Sequence, residues 1–248
     1  MSAKTDHYCF PQPKNKKKFV WRYIDFTKFF SLISTKTLFL SRADRLDDPF
    51  EGSYSKANIQ LRSKVYKDIP KNGFDKMNEQ MSNFARWIRQ WTFINCWHMS
   101  NDESAAMWRL YTKSNEAVAI QTTYENLVKA LPEFVYVGLV EYIDYKKDWV
   151  PEGNSFYPFM HKRKSFAHEN EVRAIRQKYP TSKKGILVGV QNDKDGESVD
   201  VNLTLLIDKV YVAPTASTWY RNLVEEVLKK YVIDKKVELS NLDEKPVY

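Results

Sequence analysis

Glycine and cysteine are both scarce in this sequence, with 7 glycines and 2 cysteines among 248 residues. Neither GxxxxGK[ST] nor GxGxxG occurs, which excludes the glycine-rich phosphate loops of P-loop and dinucleotide-binding proteins. Cys9 and Cys96 are too few for a disulfide framework, and no Cys/His spacing is typical of zinc, so we expect no metal site. No apolar run approaches the ~18 residues needed to span a bilayer, and no signal-peptide apolar region is visible. We therefore expect a cytoplasmic protein without a membrane segment.

Aromatic residues and positive charge are abundant instead. Aromatics make up 15% of the chain, and the formal net charge is +8. Such a charge suits an anionic partner, either a nucleic acid, a nucleotide or an acidic protein, although many soluble proteins carry a similar excess without one. Residues 1–18 end in Lys14-Asn15-Lys16-Lys17-Lys18 and are predicted to form a basic N-terminal arm. A single domain is expected over residues 19–248.

The order of apolar patterns predicts an α+β fold. The domain opens with strand, helix and strand over residues 19–41, and a long helical pattern follows from 58 to 91. The last third is rich in short strands, and a hairpin is expected where 185–190 and 199–206 flank the turn at 191–197. We expect mostly antiparallel strands in two small sheets around a cleft, with helices packed outside.

Two stretches near the start carry candidate chemistry. On the first strand, Arg22 alternates with Trp21 and Tyr23, so it faces solvent or a cleft if the aromatics face the core. An ordinary surface arginine is the alternative. The stretch Asp47-Asp48-Pro49-Phe50-Glu51-Gly52 is interpreted as a capped turn rather than as a cation site, because no further carboxylate cluster lies nearby in sequence.

A third stretch, CWHMSNDESAAMWRLY at 96–111, places Ser104, Met107, Trp108 and Tyr111 on one helical face. Such a stripe is normally part of a core. Cys96 and His98 would share one strand face and could form a nucleophile and its base. A buried structural cysteine is the favoured interpretation.

The fourth stretch, SFAHENEVR at 165–173, carries two carboxylates one residue apart. If the segment is a strand, Glu169, Glu171 and Arg173 share one face, while Val172 takes the other. This face is interpreted either as a solvated charged edge or as a catalytic pair, and residue chemistry alone does not choose between them.

Taken in order, VWRYID, DDPFEG, CWHMSNDESAAMWRLY and KRKSFAHENEVR resemble the motifs of an uncharacterised bacterial domain family, from about residue 19 to the C-terminus. The opening unit also distantly resembles the first strand, helix and strand of the ADP-ribosyltransferase superfamily. In that superfamily an Arg or His on the first strand contacts NAD, and a late Glu, often the second of an ExE pair, acts on the nicotinamide ribose. The middle motif has no unambiguous match here, since Thr122, Thr123 and Tyr111 compete for it.

The resemblance implies an enzyme that uses NAD, with Glu171 as the catalytic glutamate and Glu169 priming the acceptor. Arg22 and Arg42 are then the expected phosphate contacts, Tyr23 lies beside Arg22 in the cofactor site, and Trp97, Trp108 and Tyr111 are aromatic platforms. It further implies a bacterial toxin or antiviral effector, with RNA, DNA or protein as acceptor and an antitoxin as a neutralising partner. A non-catalytic nucleic-acid-binding module and an interaction protein of the same fold are the alternative hypotheses.

Overall fold

The longest strand of the molecule, Thr92–Met99, lies at the point where its main sheet divides. In the computed structural model, residues 2–244 and 246–247 are described. The strands are β1 Phe19–Asp25, β2 Thr37–Arg42, β3 Thr92–Met99, β4 Ala117–Thr123, β5 Tyr136–Leu139, β6 Glu141–Ile143, β7 His161–Arg163, β8 Glu171–Gln177, β9 Thr181–Ser182, β10 Gly185–Ile186, β11 Gly196–Asp200, β12 Lys209–Val212 and β13 Lys236–Leu239. The helices are α1 Phe26–Thr35, α2 Lys56–Val65, α3 Lys71–Ile88, α4 Ala105–Tyr111, α5 Tyr124–Ala130, α6 Tyr157–Met160, α7 Leu203–Leu206 and α8 Thr218–Lys230, with short 3-10 helices at Ala43–Arg45, Arg89–Trp91, Lys164–Glu169 and Asn241–Asp243.

Nine strands form one hydrogen-bonded sheet in the order β11-β2-β3-β1-β4-β12-β13, with β8 pairing β3 and β5 pairing β8. Two further two-stranded sheets join β9 to β10 and β6 to β7. The pairs β12–β13 and β6–β7 are parallel, and the other strand pairs described are antiparallel. The α+β class is thus confirmed. Two separate small sheets are not what forms, because β3 holds strands on both sides of the cleft in one sheet.

The sheet forks at β3. One edge of β3 pairs continuously with β8, from Thr92↔Gln177 to His98↔Glu171. The other edge pairs with β2 near its start, at Ser41↔Ile94, and with β1 near its end, at Trp21↔His98. Residues 95–97 lie between these two contacts and face the gap that separates β1 from β2. The fork therefore opens a gap inside the sheet.

The largest apolar cluster packs between one face of this sheet and helices α1, α5, α7 and α8. It includes Val20, Phe29, Leu127 and Val224, each fully shielded from solvent. Burial of such side chains stabilises the fold by about 1.5–3 kcal/mol each relative to exposure. A smaller cluster under α4 surrounds Trp21. No helix among the described residues has the length and apolar character required to cross a bilayer.

Three predicted elements differ from the structure. The helical pattern at 58–91 is two helices, α2 and α3, because Pro70 immediately precedes α3 and cannot continue a helix from α2. The hairpin prediction for 185–206 is wrong: β10 pairs β9, and β11 pairs β2. Gly185 and Gly189 have positive φ of 118° and 95°, which regular strands do not contain, so 185–190 is not one continuous strand. The tail of the predicted strand at 199–206 is helix α7.

Residues 2–18 pack along the domain. Ala3, Cys9 and Phe10 are buried, and the Lys4 backbone bonds to Val135 and Val137. Gly138 is required under this segment, because a Cβ there would lie 2.7 Å from the Phe10 Cβ. The lysines at 14 and 16–18 are exposed. The division into an arm and a domain stays a prediction.

Candidate active site

A cleft of about 440 Å³ occupies the gap between β1 and β2. This volume lies within the range of small-molecule and cofactor sites. Its walls come from β1, α1, β2, β3 and α4, and Glu169 and Glu171 close one end. Two side chains cross the backbone gap at its floor: Arg22 Nη1 donates to the Cys96 carbonyl at 2.6 Å, and Asn95 Nδ2 donates to the Phe39 carbonyl at 2.8 Å.

The alternation predicted for β1 is present. Trp21 and Tyr23 are buried in the cluster under α4, and Arg22 points to the opposite side of the strand. Tyr23 is fixed by its hydroxyl, which accepts from the Ser104 backbone N–H at 2.9 Å, where α4 is about to begin. Arg22 is partly buried and lines the cleft, and its burial lowers its pKa from the usual value. All three residues line the cleft.

Glu169 and Glu171 come together, but not by the strand geometry that the sequence predicts. Glu171 is the first residue of β8, whereas Glu169 ends the 3-10 helix Lys164–Glu169. Between them Asn170 is left-handed, with φ 38°, and its side chain donates to the Met99 carbonyl. Asparagine tolerates this backbone region better than most residues. Both carboxylates are buried, at 7% and 4% exposure, so the hypothesis of a solvated charged edge is wrong.

Two cations hold these carboxylates. Lys162 Nζ contacts Glu169 Oε2 and lies 3.3 Å from Glu171 Oε2. Arg173 Nε donates to Glu171 Oε1 at 2.8 Å. Burial opposes ionisation of Glu171, but Arg173 and Lys162 outweigh it and lower its pKa to about 2. Glu171 is therefore a carboxylate at neutral pH, although it is almost completely shielded from water.

The acidic turn at 47–52 belongs to the same cluster. Glu51 is buried at 3% exposure and pairs with Arg173, and Asp48 pairs with Arg163 at 2.8 Å. Asp48 also accepts from the Phe50 backbone N–H, as the capped-turn interpretation expects. The loop thus reaches the site from a position 122 residues away in sequence.

The aromatic residues divide into cleft and core. Tyr111 is 43% exposed, lines the cleft and donates its hydroxyl to Glu169 Oε1 at 3.2 Å. Burial, with Cys96 and Glu169 adding to it, raises the pKa of Tyr111 well above its usual value, so the hydroxyl keeps its proton. Of the three candidates for the middle motif, Tyr111 lines the cleft, while Thr122 bonds to the Leu205 carbonyl and Thr123 caps α5.

Three other residues that were predicted to contact the cofactor have surroundings that differ from the prediction. Trp97 lines the cleft but is 1% exposed and belongs to the main core, so its ring is not a free stacking platform. Trp108 is buried under α4, where its Nε1 donates to Glu103. Arg42 lies outside the cleft lining, since it bonds to Asp44 and to the carbonyls of Asn192 and Lys194. Its guanidinium anchors the turn before β11.

The cysteine and histidine of β3 do not form a nucleophile and base. Burial first, and then the charge of Glu171, raise the pKa of Cys96 well above the usual value, so it stays a neutral thiol. His98 Nδ1 contacts the Glu169 carbonyl at 2.5 Å and supports the turn that carries that residue. Cys96 is only partly buried and lines the cleft, so the prediction of a buried structural cysteine is confirmed for its lack of an activating base and not for its burial.

Sequence reasoning missed four contributors: Lys162, Glu51, Lys28 and Phe39. Lys28 and Phe39 line the cleft, and Phe39 is 50% exposed. The run HKRK at 161–164 is basic, but its sequence does not show that Lys162 is buried while Lys164 remains exposed. Glu51 carried a signal in the acidic turn, which was interpreted as local capping alone.

No protein-family model matches the sequence, and no curated protein matches it. Among solved structures, the chain is similar to DarT of Thermus sp. 2.9 in complex with ADP-ribosylated ssDNA, at 10% identity over 93% of this chain and 95% of that chain, with a TM-score of 0.40. The complexes of the same protein with carba-NAD+ and NAD+ give 8% and 10% identity over 92% of this chain and 98% and 96% of theirs, again with TM-scores of 0.40. At this TM-score the likeness does not establish a fold family or an activity, and the cleft itself must support any function.

Proposed function

We propose that this chain is an NAD-dependent ADP-ribosyltransferase. The observation that carries the proposal is that Arg22, Tyr111, Glu169 and Glu171 all line one cleft. They come from three separate segments of the chain, and each supplies a group that suits cleavage of a ribose–nicotinamide bond. The ionised carboxylate suits the positively charged ribose centre. The cation suits the phosphates on one side of that ribose, and the exposed aromatic ring suits the nicotinamide ring on the other.

In the proposed reaction, the bond between ribose C1′ and the nicotinamide nitrogen breaks, and its electron pair leaves with neutral nicotinamide. The acceptor atom forms a new bond to C1′ and loses its proton to Glu169 or to water. Glu171 stabilises the oxocarbenium-like centre and orients the ribose 2′-hydroxyl. Burial raises the pKa of Glu51, which lies outside the cleft lining, whereas Arg173 and Lys162 keep Glu171 ionised at the cleft. The ionised carboxylate of Glu171 therefore favours a positive centre beside it.

The remaining cleft groups suit the rest of NAD. Arg22 and Lys28 are the cations among the described residues that line the cleft, and they replace Arg42 as proposed pyrophosphate contacts. The exposed rings of Phe39 and Tyr111 replace Trp97 and Trp108 as proposed stacking surfaces.

The acceptor class is proposed to be nucleic acid, because the net charge is +8 and the lysines at 14 and 16–18 are exposed. A toxin or antiviral role and a neutralising partner stay predictions from the sequence resemblance.

Nicotinamide release from NAD tests the proposal. The purified chain is incubated with NAD and with single-stranded DNA, RNA or protein acceptors, and both nicotinamide and acceptor-bound ADP-ribose are measured. Wild type is expected to release nicotinamide, and Glu171→Gln to lose at least ~100-fold in rate, the size typical of removing one transition-state charge interaction. Glu152→Gln is the matched control, because Glu152 is also a buried carboxylate paired with an arginine but lies outside the cleft lining.

Two results would contradict the enzyme. One is no nicotinamide release with any of the acceptors, and the other is equal release by wild type and Glu171→Gln. Salt-sensitive binding of RNA or DNA without turnover would instead support the non-catalytic nucleic-acid-binding module.

A further inference from the structure

All five N–H groups of Arg173 have partners, and two carboxylates share its guanidinium. Glu51 takes the outer end, with Nη1 to Oε1 at 2.5 Å and Nη2 to Oε2 at 2.7 Å. Glu171 takes the side, with Nε to Oε1 at 2.8 Å and Nη2 to Oε2 at 3.2 Å. The last donor, on Nη1, goes to the Phe159 carbonyl at 2.5 Å. An arginine has five donors in a rigid planar fork, so this arrangement leaves it no rotational freedom.

The loop that carries Glu51 is fixed as firmly as its partner. Gly52 has φ +70°, and a Cβ there would lie 2.3 Å from the Phe159 ring, so only glycine lets the loop approach this closely. Phe159 is the same residue whose carbonyl accepts from Arg173. Asp48 ties the other end of the turn to Arg163. The turn at 47–52 therefore delivers Glu51 to Arg173 and Asp48 to Arg163.

We propose that Arg173 and Glu51 are positioning residues, which fix the plane and the ionised state of the Glu171 carboxylate so that it faces the cleft. This rests on the proposed function only for the statement that Glu171 touches the substrate. Neither Glu51 nor Arg173 lines the cleft, whereas Glu171 does. Glu51 acts on Arg173, Arg173 acts on Glu171, and Glu171 alone meets the ligand.

A purely structural ion pair would predict something different. It would make Glu51 and Arg173 matter for folding, and replacement of Glu51, which bonds to Arg173 and not to Glu171, would leave Glu171 unaffected in the folded fraction. The positioning role predicts a change at Glu171 itself, in protein that is still folded. The decisive measurement is therefore the titration of the Glu171 carboxyl, which needs no turnover.

We would label glutamate side chains with ¹³C and identify the Glu171 carboxyl resonance by its loss in Glu171→Gln. In wild type the resonance is expected to stay at its ionised position down to pH 4, since the pKa lies at about 2. In Arg173→Lys the fork to both carboxylates is lost, and the midpoint is expected to rise by at least ~1 pH unit. In Arg173→Gln it is expected to reach or exceed the ordinary value of 4.5.

Kinetics provide the second arm. Glu51→Gln keeps the size of the side chain but removes its charge and one acceptor, so Arg173 loses its fixed plane. We expect kcat per folded molecule to fall ~10–100-fold while KM for NAD changes less than ~3-fold, because alignment of Glu171 matters most in the transition state. Glu152→Gln, which breaks the other buried pair, should change neither kcat nor the Glu171 resonance.

The proposal is overturned if the Glu171 midpoint stays at its wild-type value in folded Arg173→Lys and Arg173→Gln. Should neither variant fold, the Glu171 resonance of Glu51→Gln decides: a shifted position at pH 7 supports the proposal, and an unchanged one overturns it. If wild type shows no NAD turnover, the proposed function fails, and the titration still determines whether Arg173 and Glu51 position Glu171.

Discussion

Two buried arginines in this molecule make similar ion pairs and serve different ends. Arg62 on α2 donates its Nε to Glu152 at 2.7 Å, and both side chains are 2% exposed. Arg173 on β8 pairs with Glu51 and Glu171 and is equally buried. Burial and pairing alone would rate the two sites as equivalent.

The surroundings separate them. Glu152 accepts from Asn58, Arg62 and Tyr66, so one carboxylate meets one guanidinium and neutral donors, away from the cleft. Around Arg173 and Lys162 three carboxylates meet two cations, and two of those carboxylates line the cleft. A buried ion pair that has one cation for one carboxylate and lies away from any cleft is structural. A buried cluster that holds more carboxyl groups than cations and opens on a cleft is a candidate for chemistry.

The largest expected effect is on stability, when each arginine loses its charge. Removing one partner of a buried pair costs ~3–5 kcal/mol, because the other charge is left uncompensated. Arg173→Met removes the cation of Glu51 and leaves Glu171 with Lys162 alone, so it should lie at the upper end, at about 5 kcal/mol. Arg62→Met removes the cation of Glu152 alone and should cost about 3 kcal/mol. Urea unfolding measures both. The reverse order would contradict the view that the cleft cluster carries the higher charge density.

Acid should weaken the cleft cluster through Glu171. Its pKa is lowered in the folded state from 4.5 to about 2, so its stabilising contribution is complete above pH 4.5 and is lost as the pH falls from there towards 2. The shift corresponds to about 3 kcal/mol across that window. Unfolding measured at pH 6 and pH 3 should show about 2 kcal/mol of this loss in wild type, and a smaller loss in Glu171→Gln. An equal loss in both would assign the acid sensitivity to other groups.

A matched pair of tyrosines separates stability from turnover. Tyr66 donates to Glu152 at 2.9 Å, and Tyr111 donates to Glu169 at 3.2 Å. Tyr66→Phe should destabilise the fold by about 1.5 kcal/mol and leave NAD turnover unchanged. Tyr111→Phe should cost about 0.5 kcal/mol and lower turnover ~10-fold, because its hydroxyl lies in the cleft. If Tyr111→Phe turns over NAD as fast as Tyr66→Phe, the Tyr111 hydroxyl does not contribute to the reaction.

A gain in stability is expected at a buried polar group that has no partner among the described residues. The Tyr220 hydroxyl is buried and bonds to no other atom among the described residues. Tyr220→Phe removes this group with little change in volume, so unfolding should show a gain of about 1 kcal/mol, in contrast to the loss at both arginine pairs. A loss of stability would show that the hydroxyl is satisfied by water.

Sequence patterns predicted what depends on neighbouring residues. Period-two alternation placed Arg22 opposite Trp21, and it placed Arg173 on the same face as Glu171. The Glu51–Arg173 contact spans 122 positions, and no local pattern encodes such a pairing. Glu169 shows this limit most directly. Its position next to Glu171 in the sequence predicts correctly that both line the cleft. The single strand predicted for both residues does not form, because Asn170 at φ 38° interrupts it.

The fork in the sheet determines how the cleft selects what enters it. A pocket between two domains widens about a hinge, but here both walls are hydrogen-bonded to the same eight-residue strand, β3. The spacing of these two backbone walls is therefore tied to the backbone hydrogen bonds that each makes with β3. We expect ligands wider than this spacing to be excluded from the space between β1 and β2.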